Sequence, residues 1–153
     1  MNFVSAVAGI IAAFFSAMVY ILMTRKTTIV LTFNNNKDRI EYKAGVNYAM
    51  SFLLKNIGKV SAHNIEAVVH FPSNLKPRSR DNSHPEKVEY LPDPERVVLK
   101  VEHLPPGSNP TGRHISIVNF LSEPQRYEFH YQIHGDRVRK SEDRLTVQTK
   151  SQG

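Results

Sequence analysis

The chain has no cysteine among its 153 residues, and this absence removes several classes of chemistry at once. Disulfides, thiolate metal sites, cysteine nucleophiles and the lipid-modified cysteine of bacterial lipoproteins are all excluded. The compartment stays open, because many exported domains also lack cysteine. Tryptophan is absent too. The sequence Asn109-Pro110-Thr111 is blocked as a glycosylation site by its proline.

Catalytic motifs are also missing from the sequence. There is no G-x-S-x-G elbow, no phosphate-binding G-x-x-x-x-G-K and no H-E-x-x-H zinc motif. The acid pairs Asp93/Glu95 and Glu142/Asp143 are predicted to fall in polar turns and are not interpreted as catalytic pairs. We therefore expect no enzyme, no catalytic residue and no cofactor.

One long apolar run stands at the N-terminus. Residues Phe3 to Met23 include no charged side chain and would span roughly 31 Å as a helix, the thickness of a bilayer's hydrocarbon core. A cleaved signal peptide is the alternative, but no Lys or Arg precedes the run, and it continues past the small pair Ser16-Ala17. We therefore predict an uncleaved transmembrane anchor over residues 1–24.

Charge next to this anchor predicts its orientation. Arg25 and Lys26 follow it directly, whereas only the terminal amine precedes it. By the positive-inside rule the N-terminus lies outside, and the rest of the chain lies in the cytoplasm against a bacterial inner membrane. A periplasmic or extracellular domain remains the alternative.

Small residues recur every four positions within the anchor. Four residues spaced in this way share one helix face, which would let a second helix approach closely in lipid. They are Ser5, Gly9, Ala13 and Ala17. This stripe predicts a homodimer through the transmembrane helix, although small residues are also common in unpaired membrane helices.

After a short link at residues 25–28, strand signals alternate with turn signals as far as residue 150. Arg126–His134 is the clearest strand, with Tyr127, Phe129, Tyr131 and Ile133 on one face. Many short strands and no long helical period predict an immunoglobulin-like antiparallel β-sandwich over residues 29–150, with a frayed tail at 151–153. The proline-bounded segments Pro72–Pro85 and Leu104–Gly112 are expected to be loops.

The net charge of +6, from 20 Lys and Arg against 14 Asp and Glu, concentrates in two basic clusters. Both are predicted on loops and could bind anionic lipid, although a solvated loop explains them more simply. They consist of Lys76, Arg78 and Arg80, and of Arg137, Arg139 and Lys140. No aromatic residue is interleaved for base stacking, so nucleic acid is not an expected partner.

Two histidines, His130 and His134, are the candidate metal ligands of the sequence. His130 and His134 share a strand face but lie roughly 13 Å apart, too far to chelate one ion without help from His70 or His114. Two exposed polar residues on a solvent face explain them more simply, so no metal site is predicted.

The segment Met50–Phe71 carries a recognisable pattern of turn and core residues. Asn56, Gly58, Ala62, Asn64 and Ile65 match the first hairpin of bacterial CARDB-like (cell-adhesion-related) immunoglobulin-like domains, which this segment resembles. The loop that begins at Leu104 looks like a later loop of the same domains, and Ile115 and Ile117 would then point inward. The resemblance implies an accessory or adhesive sandwich without catalysis. Such domains are mostly extracytoplasmic, which conflicts with the cytoplasmic location predicted from the charges beside the anchor.

These observations predict a membrane-anchored accessory or scaffold protein. It would act through protein–protein contact at an exposed strand edge or at the Pro72–Pro85 segment. The protein partner itself is not identified by the sequence. A peripheral reader of anionic lipid or nucleic acid, and an undetected metal-binding or hydrolytic protein, are the alternatives.

Overall fold

The computed structural model describes residues 2–33, 35–75, 77–81, 87–92, 95–107 and 111–153, with only the backbone described for 77–81, 87–92, 95 and 111–117. These described residues form one helix followed by ten strands. They are α1 Phe3–Thr24, β1 Ile29–Phe33, β2 Arg39–Lys43, β3 Asn47–Asn56, β4 Ala62–His70, β5 Pro77–Asp81, β6 Lys87–Pro92, β7 Glu95–Leu104, β8 Thr111–Asn119, β9 Arg126–Asp136 and β10 Ser141–Lys150.

The strands form two sheets that face each other across one core. The smaller sheet has the order β1-β3-β8-β5, and the larger sheet has the order β2-β10-β9-β4-β7-β6. All neighbouring strands are antiparallel except β2 and β10, which run parallel. The prediction of a mainly β, immunoglobulin-like sandwich behind one apolar helix is confirmed.

Alternating side chains from the two sheets fill the core. Tyr127, Phe129, Tyr131 and Ile133 are all buried on β9, as their period of two predicted. Phe129 meets Phe33 and Phe71 edge-on, with ring centroids 6.5 and 5.2 Å apart. Such contacts add to the free energy that each ring gains by leaving water.

Two of the predicted loops contain strand residues. Pro77–Asp81, inside the segment Pro72–Pro85, forms β5 and pairs with β8, so Arg78 and Arg80 lie on a strand and not on the expected loop. The backbone of β8 offers a free edge, and this long-range pairing outweighs the local preference of Pro and charged residues for loops. For the same reason Thr111 and Gly112 belong to β8.

The register of β8 gives the pairing partners of Ile115 and Ile117. Ile115 and Ile117 pair with Ser51 and Ala49, whereas the core residue Met50 pairs with Ser116. Residues directly opposite in an antiparallel pair share a face of the sheet. Ile115 and Ile117 therefore share a sheet face with Ser51 and Ala49, and the inward orientation that the resemblance implied for their side chains lies outside the described part of the structure.

The two ends of the sandwich differ in what they hold. We call the end beside α1 the helix-proximal end, formed by the turns at residues 56–61 and 136–140 and by Leu104–Gly107. The chain's last strand runs away from this end, because Lys150 pairs with Lys43 at the opposite end. At that opposite end the side chain of Gln152 donates to the Ala44 carbonyl over 2.8 Å.

Candidate functional site at the junction of helix and sandwich

The chain enters the fold almost as soon as the helix ends. Thr27 is 1% exposed and lies between two turns of the helix-proximal end. Its N–H donates to the Arg137 carbonyl over 2.6 Å, and its carbonyl accepts from the Arg139 N–H over 2.9 Å. The predicted link at residues 25–28 therefore contains a residue that belongs to the sandwich, with only Arg25 and Lys26 between it and α1.

Asn56 holds this entry point from the other side. Its fully buried side chain accepts hydrogen bonds from the Thr27 hydroxyl at 2.6 Å and from the Gly58 N–H at 2.9 Å. It donates to the carbonyls of Val60 at 2.8 Å and Leu104 at 3.0 Å. Both donors and both acceptor positions of the amide are thus satisfied, so one side chain joins four separate points of the chain.

Gly58 leaves the space that Thr27 occupies. A Cβ at position 58 would overlap the hydroxyl oxygen of Thr27 and lie 2.9 Å from its Cβ. A larger residue would therefore push the entering chain away from Asn56. We call Thr27, Asn56 and Gly58, with the backbone of Arg137 and Arg139, the clamp.

A basic pocket opens beside the clamp. It has a volume of about 390 Å³ and is lined by Arg25, Lys26, Thr28, Gly58, Lys59, Val60 and Arg139. Four of these carry a positive charge, and none of the described residues that line the pocket is acidic. Next to Gly58, Ile57 leaves 56% of its surface exposed, which is high for a large apolar residue. The junction thus combines clustered cations with an exposed apolar side chain.

The structure brings together only part of the predicted basic set. Arg137, Arg139 and Lys140 lie in the turn that holds Thr27. Arg78 and Arg80 lie on β5 at the far edge of the smaller sheet, and Lys76 lies outside the described residues. The two clusters therefore do not form one surface.

Sequence reasoning missed that Lys59 joins this pocket. Its only local signal is its place in the turn that follows Asn56, and a turn of this kind predicts a feature of the fold and not a function. Arg25 and Lys26 were interpreted only as orientation signals. Residues separated by more than a hundred positions meet here through strand pairing, which no local pattern reveals.

The predicted helix-pairing residues lie on a helix that no other part of the described chain covers. Helix α1 has no buried residue, and it is long and apolar enough to cross a membrane. Gly9 has no heavy atom of another part of the chain within 4 Å of where a Cβ would stand. Pairing through Ser5, Gly9, Ala13 and Ala17 stays a prediction.

The histidines share the outer face of the larger sheet. His70 pairs with His130 across β4 and β9, and His134 lies 3.6 Å from Glu66. Burial lowers the pKa of His70 below its ordinary value, and the neighbouring Arg96 and His130 lower it further. The described residues contain no group of three His, Asp or Glu side chains arranged to hold a metal ion. The side chain of His114 lies outside the described part.

Comparison with known proteins shows likeness in fold. No family model and no curated protein sequence matches the chain. A type I cohesin–dockerin complex from Clostridium thermocellum contains a similar chain (9% identity, TM-score 0.51, covering 80% of this chain and 99% of that one). The sixth cohesin of scaffoldin B from Acetivibrio cellulolyticus, in complex with a dockerin variant, is similar at 13% identity and a TM-score of 0.53, covering 82% and 98%.

A third similar structure is the cohesin module of a family 33 glycoside hydrolase from Clostridium perfringens. It is 10% identical, with a TM-score of 0.50, and the match covers 82% of this chain and 99% of that one. At such identities the likeness establishes the fold alone, an immunoglobulin-like β-sandwich of the kind found in cohesin modules. The narrower resemblance to CARDB-like domains is not confirmed.

Proposed function

We propose that the chain is a membrane-anchored interaction module without catalytic activity. Helix α1 crosses the bilayer, and the sandwich binds another protein beside it. Two of the similar structures are described as cohesin–dockerin complexes, so sandwiches of this fold serve as protein-binding modules in those proteins. Their partner is not transferred to this chain, because identities of 9% and 13% carry no information about surface residues.

The clamp is the observation that carries the anchoring part. An apolar helix of 22 residues with no buried side chain needs a lipid or protein environment. Residues that follow a cleaved leader normally form a loose new terminus. Here Thr27 is buried and hydrogen-bonded three residues after the helix ends, which supports an uncleaved connection between helix and sandwich.

Anchoring is tested in cells with the full chain. A reporter that is active on one side of the membrane is fused after Gly153, and the intact mass of the membrane-extracted protein is measured. We expect a full-length mass and, from the charges of Arg25 and Lys26, a cytoplasmic reporter. A mass that lacks α1 would refute the anchor, whereas a full-length mass with an exported reporter would refute only the orientation.

The sandwich has one closed and one open side, and the open side is the proposed contact surface. On the closed side β1 packs against β9 and β10. Thr27, just before β1, adds an isolated parallel β-bridge to Val138 on the same side. On the open side β5 and β6 form the outer edges of the two sheets, and each pairs with a single strand in the described part of the chain. Edge strands with unpaired backbone groups can accept a further strand from a partner.

The other exposed edge is formed by β2, where a neighbouring side chain already contacts Glu41. Strand β2 carries Arg39, Glu41 and Lys43 on its exposed positions, and Lys150 lies 2.7 Å from Glu41. This contact holds the pKa of Glu41 below its ordinary value. Strand β5 carries Arg78, Arg80 and Asp81, so edge charge alone does not choose between the two sides, and the choice of β5 rests on its place in the chain. Strand β5 falls inside the segment Pro72–Pro85, for which a contact role was predicted from the sequence.

Site-specific photo-crosslinking in cells tests the contact surface. A photoreactive residue replaces Ser79 on β5 or Glu89 on β6, and the matched control replaces Glu41 on β2, which is an edge strand with the same number of residues as β5. We expect discrete heavier species from positions 79 and 89 and a clearly lower yield from position 41. Equal yields at all three positions, or adducts from position 41 alone, would overturn the assignment.

A further inference from the structure

The basic pocket has a composition that the interaction function does not require. Arg25, Lys26, Lys59 and Arg139 line one cavity, although the last two are far from the helix in sequence. Like charges repel when they are gathered, so such a group is favoured where an anion neutralises it. The guanidinium and ammonium groups are the donors that proteins use for phosphate oxygens.

An orientation signal alone does not account for this arrangement. The positive-inside rule concerns charges close to the membrane span in sequence, such as Arg25 and Lys26. Lys59 and Arg139 reach the same place only after the turns of the sandwich have closed on Thr27. The folded structure, and not the translocating chain, therefore assembles the four cations.

The position of the pocket selects the source of the anion. The backbone from Thr24 to Thr27 spans at most roughly 11 Å, so the pocket stands at the level of the lipid headgroups when α1 spans the bilayer. Ile57 is exposed in the adjoining turn and can insert its side chain between headgroups and acyl chains. A free phosphate ion would use the cations but would gain nothing from this apolar residue.

We propose that the basic pocket binds the headgroup phosphate of one anionic phospholipid. The proposal rests on the membrane anchoring of α1 and goes beyond it by naming a specific lipid class. Phosphate oxygens accept hydrogen bonds from Arg25 and Arg139 and face the ammonium groups of Lys26 and Lys59. Each cation near a lipid surface is worth about fivefold in affinity.

The test removes charge without disturbing the clamp. The double variant Lys59→Gln/Arg139→Gln leaves the backbone hydrogen bonds of Arg139 in place and keeps Arg25 and Lys26 for orientation. The matched control, Lys43→Gln/Arg126→Gln, removes the same charge from exposed residues at the opposite end of the sandwich. Circular dichroism melting curves establish that each variant is folded.

Lipid retention is measured by native mass spectrometry on the full chain, made by cell-free synthesis so that α1 is present. The micelles contain equal amounts of phosphatidylglycerol and phosphatidylcholine. We expect the parent to retain one phosphatidylglycerol in preference to phosphatidylcholine. That preference should fall by about 30-fold in Lys59→Gln/Arg139→Gln and stay unchanged in the control.

Three outcomes would overturn the proposal. They are equal retention of the two lipids by the parent, an equal loss in both double variants, and displacement of the lipid by glycerol 3-phosphate at concentrations comparable to the lipid. The last outcome would identify a free-anion site. Because the chain in this assay carries α1 by synthesis, the result is independent of whether α1 is retained in cells.

Discussion

Replacing Asn56 with alanine tests the clamp most directly. Asn56→Ala removes all four side-chain hydrogen bonds, which end on Thr27, Gly58, Val60 and Leu104. Thr27 and Leu104 are 1% and 0% exposed, so their polar groups lose a partner without gaining water. Gly58 and Val60 are half-buried, and water can reach them at little cost.

The size of the expected loss in stability follows from the two buried partners, Thr27 and Leu104. A buried polar group that loses its partner costs about 1–3 kcal/mol, and the cavity left by the amide adds about 1 kcal/mol. Two such losses together with the cavity lead us to expect that Asn56→Ala lowers the free energy of unfolding by about 3–7 kcal/mol. This is a large part of the total stability of about 5–15 kcal/mol that is typical of such a domain.

Thermal melting of the full chain in detergent, followed by circular dichroism, measures this loss. At about 4 °C per kcal/mol, the midpoint should fall by more than 10 °C. Asn47→Ala is the matched control, because Asn47 is exposed at the other end of β3 and should change the midpoint by less than about 2 °C. A shift in Asn56→Ala no larger than that of the control would refute the reasoning.

Asn56→Asp separates the hydrogen bonds that the amide oxygen accepts from those that the amide nitrogen donates. It keeps the acceptor that faces Thr27 but places a carboxylate against the two carbonyls that the amide had served. Burial beside carbonyls favours the protonated acid, so the variant should gain stability as pH falls through the acidic range. The same melting assay at pH 7 and pH 5 measures this gain, and a pH-independent loss would contradict the assigned orientation of the amide.

Three further predictions concern other parts of the molecule. Gly58→Ala should cost about 1–3 kcal/mol in the same melting assay, because its methyl group would overlap the Thr27 side chain. Because folding lowers the pKa of His70, this residue favours the folded state at pH values above its ordinary pKa, and that contribution is lost as the pH falls through its pKa in the folded state. His70→Gln should therefore flatten the plot of melting midpoint against pH between pH 7.5 and 5. Gly9→Ile/Ala13→Ile should abolish self-association of α1 in a membrane two-hybrid assay.

Each of these predictions has its own control. Gly58→Ala combined with Thr27→Ala should lose less stability than the sum of the two single changes, since removing the threonine hydroxyl makes room for the methyl group. Gln132→Asn, a change at a residue of the same sheet face that has no ionisable group, should leave the acid-side slope in place. Val7→Leu/Ile11→Leu, on the opposite face of α1, should preserve the two-hybrid signal, and an unchanged signal in Gly9→Ile/Ala13→Ile would end the pairing hypothesis.

The core was predictable from the sequence because it depends on a local pattern. On β9 and β4 the apolar residues alternate with polar ones, and a period of two places them on the buried face whatever the rest of the chain does. Strand β5 was missed because its segment, rich in Pro, Ser and Arg, carries no such pattern. It becomes a strand only because β8 presents an unpaired edge.

The clamp was missed for a related reason. Asn56 and Gly58 form a turn pattern in the sequence, and that pattern gives no sign that the amide of Asn56 reaches Thr27, 29 positions away. Arg137 and Arg139 were noticed as charges, yet their backbone groups are what fixes the entering chain. Backbone roles of charged residues and long-range contacts of a buried amide both depend on the closed fold.

Register and strand length place the two proposed binding surfaces at different distances from the helix-proximal end. The pocket lies at the helix-proximal end, where Thr111 of β8 pairs with Leu54. Strand β5 pairs with Ile115 to Val118, which stand roughly 13–23 Å farther along β8. One lipid headgroup in the pocket therefore cannot also contact β5, and a protein on β5 can be bound while the pocket is occupied. The lipid assay and the crosslinking assay consequently test separate surfaces, and a lipid-binding defect in Lys59→Gln/Arg139→Gln should leave the crosslinks from position 79 intact.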